Sequence, residues 1–407
     1  MKLFQRLLVA PAALGLLAPI SANANEVNLN DISNYSDVEN IELANSFNNQ
    51  LNEPTLLAGG EGLGGGAEAF EDSSYDGSFS STTSASFSVD MAIGGLDGDT
   101  NAPTEALVTA YGYQIDLSTS FTGEDAFSVS LDAGQGGETS GALGELDLNA
   151  GGDTLTVDGI TYTFPVGDKL TVLVGDSTSG SALFSTACVY GGFTNTLDDC
   201  GNAASAITAT AHGLLVDGTV GLSAAYDIGN GFTGAFGYNG QGADGAGLGT
   251  AEGTDFYAGQ LTYTADDYGV SVTYANLDFA TIWGLNGYYT FASNLPSVSV
   301  GYEFSEVDEA VSFRNGTAAQ VDFAEGDATQ WFVGLQWDEL GNGTLGISMG
   351  SSGPQLEDAE EDMAYELFYT YNVNDSMTIT PAIFILEDND PGDDDTTGVV
   401  VKTSFSF

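Results

Sequence analysis

Six charged residues sit at alternate positions within segments that read as strands: Asp90, Asp116, Asp132, Glu303, Glu366 and Lys402. Charges placed this way act through their field and need no proton transfer. The inventory for catalysis is poor. Against 58 acidic side chains stand five basic ones and one histidine, a formal net charge of −53. That histidine, His212, has no nucleophile context, which argues against a catalytic triad. Glycine runs lie in loop-like sequence, with no strand-to-helix junction, and carry no nucleotide signature. The acidic runs EDAEED (357–362) and EDNDPGDDD (387–395) offer oxygen ligands but not EF-hand spacing, so diffuse counterion attraction is the simpler reading. No catalytic set, resident metal or cofactor is expected.

The charge has a direction. Apart from Lys2 and Arg6 near the start, the only basic residues are Lys169, Arg314 and Lys402. Such a field repels nucleic acid and other polyanions and concentrates cations. Surface solubility or salt adaptation explains part of the same excess. A net charge this large often accompanies disorder, but the 18 Tyr and 23 Phe argue otherwise for most of the chain.

Residues 1–24 have the form of a secretory signal peptide: Lys2 and Arg6, then an apolar run from Leu7 to Ile20, then Ala22-Asn23-Ala24 as an A-x-A cleavage site. Export fits Cys188 and Cys200, which lie close together in sequence and are read as a disulfide in preference to a metal pair. Residues 25–76 are rich in Asn, Glu and Gly and end in LAGGEGLGGG. They read as a flexible periplasmic arm, with DVENIELANSFNNQL able to form a short helix.

From residue 77 the period becomes two, which is the strand signature. In ALVTAYGYQIDLSTSF one face carries Leu107, Tyr111, Tyr113, Ile115, Leu117 and Phe121, and the other Gln114, Asp116 and Ser118. Sixteen such segments can be counted between Ala85 and Phe407. Short turns at 122–125, 166–168, 227–230, 264–267, 339–343 and 373–375 alternate with longer Gly- and Asp-rich loops at 94–106, 134–159, 175–218, 239–256, 305–330, 350–363 and 387–397, with 275–282 a short exception. Aromatics such as Phe121, Phe127, Phe164, Tyr226, Phe232, Tyr263, Tyr268, Phe291, Trp337 and Tyr371 gather beside the short turns, as in an interfacial girdle. No run of 18 apolar residues follows residue 24, so a spanning helix is excluded and a spanning strand is not. In lipid every strand edge must be paired, so the sheet must close. The fold expected is all-β: a closed transmembrane antiparallel barrel of about sixteen strands over 77–407. Its last strand, VVVKTSFSF, would pair with the first near 85–93.

Several stretches resemble the cyanobacterial outer-membrane porins, the carbohydrate-selective OprB-type group also labelled iron-uptake porins. They are MKLFQRLLVAPAALGLLAP, VNLNDISNYSD, GSFSSTTSASFSVDMAIGG, YQIDLSTSFTGEDAFSVSLDAG, ITYTFPVGDKLTVLVG, ATQWFVGLQWDELGNGTLGISMG and YELFYTYNVNDSMTITPAIF. The resemblance implies a sixteen-stranded barrel in outer-membrane lipid, a homotrimer, and passive diffusion of small hydrophilic solutes. It also implies an S-layer-homology module and a coiled coil ahead of the barrel. Residues 25–76 are too short for both and lack the motif, so cell-wall anchoring loses its sequence basis.

In a barrel of this size the lumen is filled by water and its selectivity is set by what lines it. Alternation places Asp90, Asp116, Asp132, Glu303, Glu366 and Lys402 on the wet face, because a charge facing lipid is costly. The longest loop, 175–218, carries the cysteine pair. By analogy with general porins it would fold inward, bringing Asp198 and Asp199 into a negative constriction; the opposite reading is an outward loop with a merely structural bridge. With Arg314 the only arginine beyond the signal peptide, no arginine cluster can oppose the acids, and the channel is expected to favour cations. Two alternatives stand beside this: a sugar- or iron-selective uptake porin in the same fold, and an exported Ca²⁺-binding structural or adhesive β protein.

Overall fold

A computed structural model describes residues 83–97, 106–135, 143–146, 148–149, 152–200, 219–241, 247–250, 255–277, 279–292, 294–308, 311–314, 320–323, 325–357, 360–388 and 395–407. The expected signal peptide, the arm at 25–76 and His212 lie outside the described residues.

Nineteen strands are described, sixteen of them staves of one closed sheet. The first run is β1 (Thr83–Asp97), β2 (Val108–Thr119), β3 (Ala126–Gly134), β4 (Gly152–Val166), β5 (Leu170–Asp176), β6 (Thr219–Gly229), β7 (Phe232–Gln241) and β8 (Asp255–Thr264). Then come β9 (Tyr268–Leu277), β10 (Ala280–Tyr289) and β11 (Ser297–Val307). The short hairpin β12 (Val311–Arg314) and β13 (Gln320–Phe323) follows as a separate two-stranded sheet. The ring resumes with β14 (Gly326–Trp337), β15 (Gly343–Ser351), the two-residue β16 (Gln355–Leu356), β17 (Met363–Asn374), β18 (Met377–Leu386) and β19 (Thr396–Ser406). Every pairing is antiparallel. The ring closes where β1 meets β19, from Ser88↔Ser406 to Asp97↔Thr397. Phe407 continues that seam: its backbone exchanges hydrogen bonds with Phe87 at 2.8 and 3.0 Å, and the two rings stack with centroids 5.7 Å apart.

Period two therefore becomes an inside and an outside. Met91 and Ile93 on β1 are 54% and 45% exposed, while Ala92 between them is buried. The same outward row continues through Trp283, Leu285, Val300, Tyr302, Phe304, Ile347 and Leu367. An apolar band of this kind is stable against hydrocarbon and not against water. Tight turns join strands at one end; the segment Gly229–Asn230–Gly231 reverses direction with positive φ at all three residues, a conformation that two glycines and an asparagine tolerate. The aromatics expected beside these turns are in contact, as in Phe121–Phe127, Phe232–Tyr263 and Tyr263–Tyr268. Near the opposite end lies a second band that the sequence reading missed, in which Tyr274, Trp283 and Phe304 pack in sequence across β9, β10 and β11.

Several loop boundaries differ from expectation. The stretch 152–159, read as loop, is the first half of β4, with Leu155 and Val157 exposed on the outer face. Residues 305–330 contain the β12–β13 hairpin. The 275–282 connection is shorter than read, because β9 and β10 pair out to Leu277 and Ala280.

Candidate functional site: the barrel interior

The inner wall of β19, β1, β2, β3 and β4 is a hydroxyl surface with three carboxylates set into it. Strand register orders it in rows. Ser404, Asp90, Gly112 and Gly134 form one, and Ser406, Ser88, Gln114, Asp132 and Thr156 the next. Ser86, Asp116 and Ser130 follow, then Ser84, Ser118, Ser128 and Thr161. Two of the acids are held by their neighbours. Asp116 Oδ1 accepts from Ser130 Oγ at 2.6 Å and from Gln114 Nε2 at 2.9 Å; Asp132 Oδ1 accepts from Thr156 Oγ1 at 2.8 Å. Lys402, on the same inner face, holds its ammonium 5.5 Å from the centre of the Phe193 ring.

The opposite side of the interior is covered by chain. The segment 177–200 lies along the inner wall and is fastened to one strand after another. Asn239 of β7 accepts from Gly180 N and donates to the Thr178 carbonyl. Ser223 of β6 accepts from Leu183 N at 3.1 Å, and Thr262 of β8 donates to the Ser185 carbonyl at 2.8 Å. Ser271 of β9 accepts from Ala187 N; Ser299 of β11 accepts from Val189 N and Tyr190 N at 3.1 and 3.2 Å. Gln336 of β14 accepts from Gly191 N at 2.9 Å. At the far end Glu366 of β17 receives Tyr190 OH, Phe193 N, Thr194 N and Thr194 Oγ1, the last at 2.7 Å. Close approach needs small wall residues: a Cβ on Gly301 would sit 2.2 Å from the Cys200 carbonyl oxygen.

A second segment joins the first. Residues 143–146 and 148–149, between β3 and β4, place Leu143, Leu146 and Leu148 in one buried cluster with Phe193, Leu197 and wall residues Ala92, Phe368, Phe384 and Val400. Asn195 N donates to the Glu145 carbonyl at 3.0 Å and Thr196 Oγ1 to the Glu145 carboxylate at 2.8 Å. The interior thus holds a two-segment insert with an apolar centre, pinned to a polar wall.

The sequence-derived residues divide accordingly. Asp90, Asp116, Asp132 and Lys402 face inward and are partly exposed. Glu303 and Glu366 also face inward, but they are 1% and 3% exposed, and the insert lies over Glu366, whose carboxylate it binds. Cys188 and Cys200 are bonded to each other, with Cα atoms 6.1 Å apart. Asp198 opens the 3-10 turn Asp198–Cys200, which lies against β11 and β14; the Asp199 side chain lies outside the described residues. Sequence reasoning missed the inward serines, asparagine and glutamine that fasten the insert, for a wall hydroxyl reads the same whether it meets water or a backbone amide. Among the described residues no three acidic, histidine or cysteine side chains come together as a metal-ligand group.

One acid outside the lumen is unusually well satisfied. In the turn between β2 and β3, Asp125 Oδ1 accepts from Phe121 N, Thr122 N, Ser120 Oγ and Thr122 Oγ1, and Oδ2 from Tyr162 OH at 2.8 Å. Burial alone would raise its pKa. The donors, led by Thr122 N–H, outweigh that and hold the carboxyl well below the usual carboxylate range.

Comparison with known proteins agrees on architecture. No family model matches the chain, and no curated protein does. Among solved structures, OprB of Pseudomonas putida superposes with a TM-score of 0.54 at 13% identity, covering 80% of this chain and 94% of that one. The anion-selective porin of Comamonas acidovorans gives 0.53 at 14%, covering 80% and 99%. A mutant of the Rh. blastica porin gives 0.51 at 13%, covering 80% and 100%. The fold is that of the bacterial porins: a closed barrel of sixteen antiparallel strands.

Proposed function

We propose that the chain is an outer-membrane porin. In this reading it is exported by a signal peptide cleaved after Ala24, assembles as a homotrimer, and forms a water-filled, cation-favouring channel for passive diffusion of small hydrophilic solutes and inorganic ions. The observation that carries it is the contrast between the two faces of one closed sheet. The outer face is apolar and rimmed by aromatic rings, and the inner face of β19 and β1–β4 is serine, threonine and aspartate. Only a lipid surround and a wet interior suit both faces. Ion preference is not a property of the fold, since an anion-selective porin shares it. Here it follows from composition: acids outnumber bases more than tenfold.

The test is single-channel recording of the refolded chain in planar bilayers, with the reversal potential read across a salt gradient. Discrete conductance steps with a potential of cation sign are expected. A soluble, detergent-independent protein or an anion-signed potential would overturn the reading. A sugar- or iron-selective version is the second reading, favoured by the density of wall hydroxyls at Ser84, Ser86, Ser88, Ser118, Ser128 and Ser130. Saturable block of the K⁺ current by sugars or ferric complexes would select it.

A further inference from the structure

We infer that Asp90 forms the base of a cation-binding recess in the lumen wall, a site where a partly hydrated metal cation pauses on its way through. The inference rests on the channel reading and names the residue at which the passing cation is held.

The recess follows from the row in which Asp90 stands. Its inward neighbours on β2 and β3 are Gly112 and Gly134, which have no side chains to fill the space beside the carboxylate. The returning segment uses that space: a Cβ on Gly134 would lie 2.2 Å from the Asn149 carbonyl oxygen, and one on Gly112 3.1 Å from Asn149 N. Asn149 is fixed there by its Nδ2 donating to the Tyr113 carbonyl at 3.0 Å. What remains is a recess of about 220 Å³ lined by Ser88, Asp90, Gly112, Tyr113, Gln114, Leu148 and Asn149. That is room for a cation and several waters.

Asp90 differs from the other two wall acids. Asp116 and Asp132 each spend an oxygen on neighbouring donors. Among the described residues no donor hydrogen-bonds to the Asp90 carboxylate and no ion pair reaches it. The one nearby base, Lys402, is set two residues along the adjacent strand, opposite Ala92, and its ammonium is placed over the Phe193 ring instead. A carboxylate in a polar recess with neutral oxygens around it and no donor of its own binds cations in preference to anions. One charge with neutral partners gives a weak site, and a conducting pore requires that, because the ion must also leave.

The experiment is conductance as a function of KCl activity for the full chain and for Asp90→Asn, with Asp116→Asn as the matched loss of one wall charge. The unaltered channel is expected to saturate as KCl rises. Asp90→Asn is expected to stay close to linear and to lose about twofold or more in cation-over-anion permeability ratio, with a smaller loss in Asp116→Asn. Crystals soaked in RbCl supply a readout that does not depend on conductance: an anomalous peak in the recess, absent in Asp90→Asn. Identical saturation in both channels, equal effects of the two substitutions, or no rubidium peak in the unaltered protein would overturn the site while leaving the channel intact. Absence of any conductance would instead remove the channel reading, and the site with it.

Discussion

At the scale of single residues, carboxylates of the same chemical type do different work according to their donors. Glu366 is buried and saturated by the insert, Asp116 is half occupied, and Asp90 has no donor among the described residues. Asp125 is the most heavily bonded, and it gives a pH prediction with a definite sign. Its folded pKa lies below that of the unfolded chain, near 3.9 for an ordinary aspartate. The stability it contributes is therefore fully present above the unfolded value and is lost as pH falls through the folded one. Asp125→Asn should lower the denaturant midpoint of the detergent-refolded barrel at pH 7. The gap between variant and parent should hold down to about pH 4 and narrow below it. Unfolding followed by tryptophan fluorescence at several pH values reads this directly; a gap that grows on acidification would show that the turn is held by something other than the ionised carboxyl.

At the scale of elements, the insert 177–200 behaves as a strap. Its backbone amides are bound by side chains from β6, β7, β9, β11, β14 and β17, and a disulfide closes the part that carries Tyr190, Phe193 and Thr194. Removing the Glu366 carboxylate would leave several buried donors without an acceptor, at about 1–3 kcal/mol each, which is more than the strap tip can sustain in place. Glu366→Ala should keep a heat-modifiable barrel, yet open channels with larger and noisier conductance, and Cys188→Ser in that background should enlarge the effect. Single-channel traces indistinguishable from the parent would mean that the tip is held without Glu366. The sixteen staves themselves were legible in sequence, because period two survives wherever one face meets lipid. The first half of β4 was hidden by its glycines and Asp153 and Asp158, although Leu155 and Val157 already alternate there. The inward course of the strap was expected only by analogy with general porins, and its fastening to the wall was not legible. The direction of Glu366 follows from alternation, but its burial depends on Thr194, 172 residues earlier in the chain, and no local pattern encodes that contact.

At the scale of the whole molecule, the acidic excess and the recess at Asp90 are two sources of cation preference with different reach. The excess is spread over the chain, and its field decays over a screening length of about 10 Å at 0.1 M salt and about 3 Å at 1 M. A bound cation in the recess is in direct contact with its carboxylate and is screened far less. Selectivity measured at a fixed salt ratio should therefore fall as mean ionic strength rises, then level off at a remainder that Asp90→Asn removes. Reversal potentials at low and high mean KCl, in parent and variant, separate the two contributions. A permeability ratio that is constant across that range would show that the diffuse charge contributes nothing inside the pore. A ratio falling to that of an uncharged pore in both proteins would show that the field acts alone.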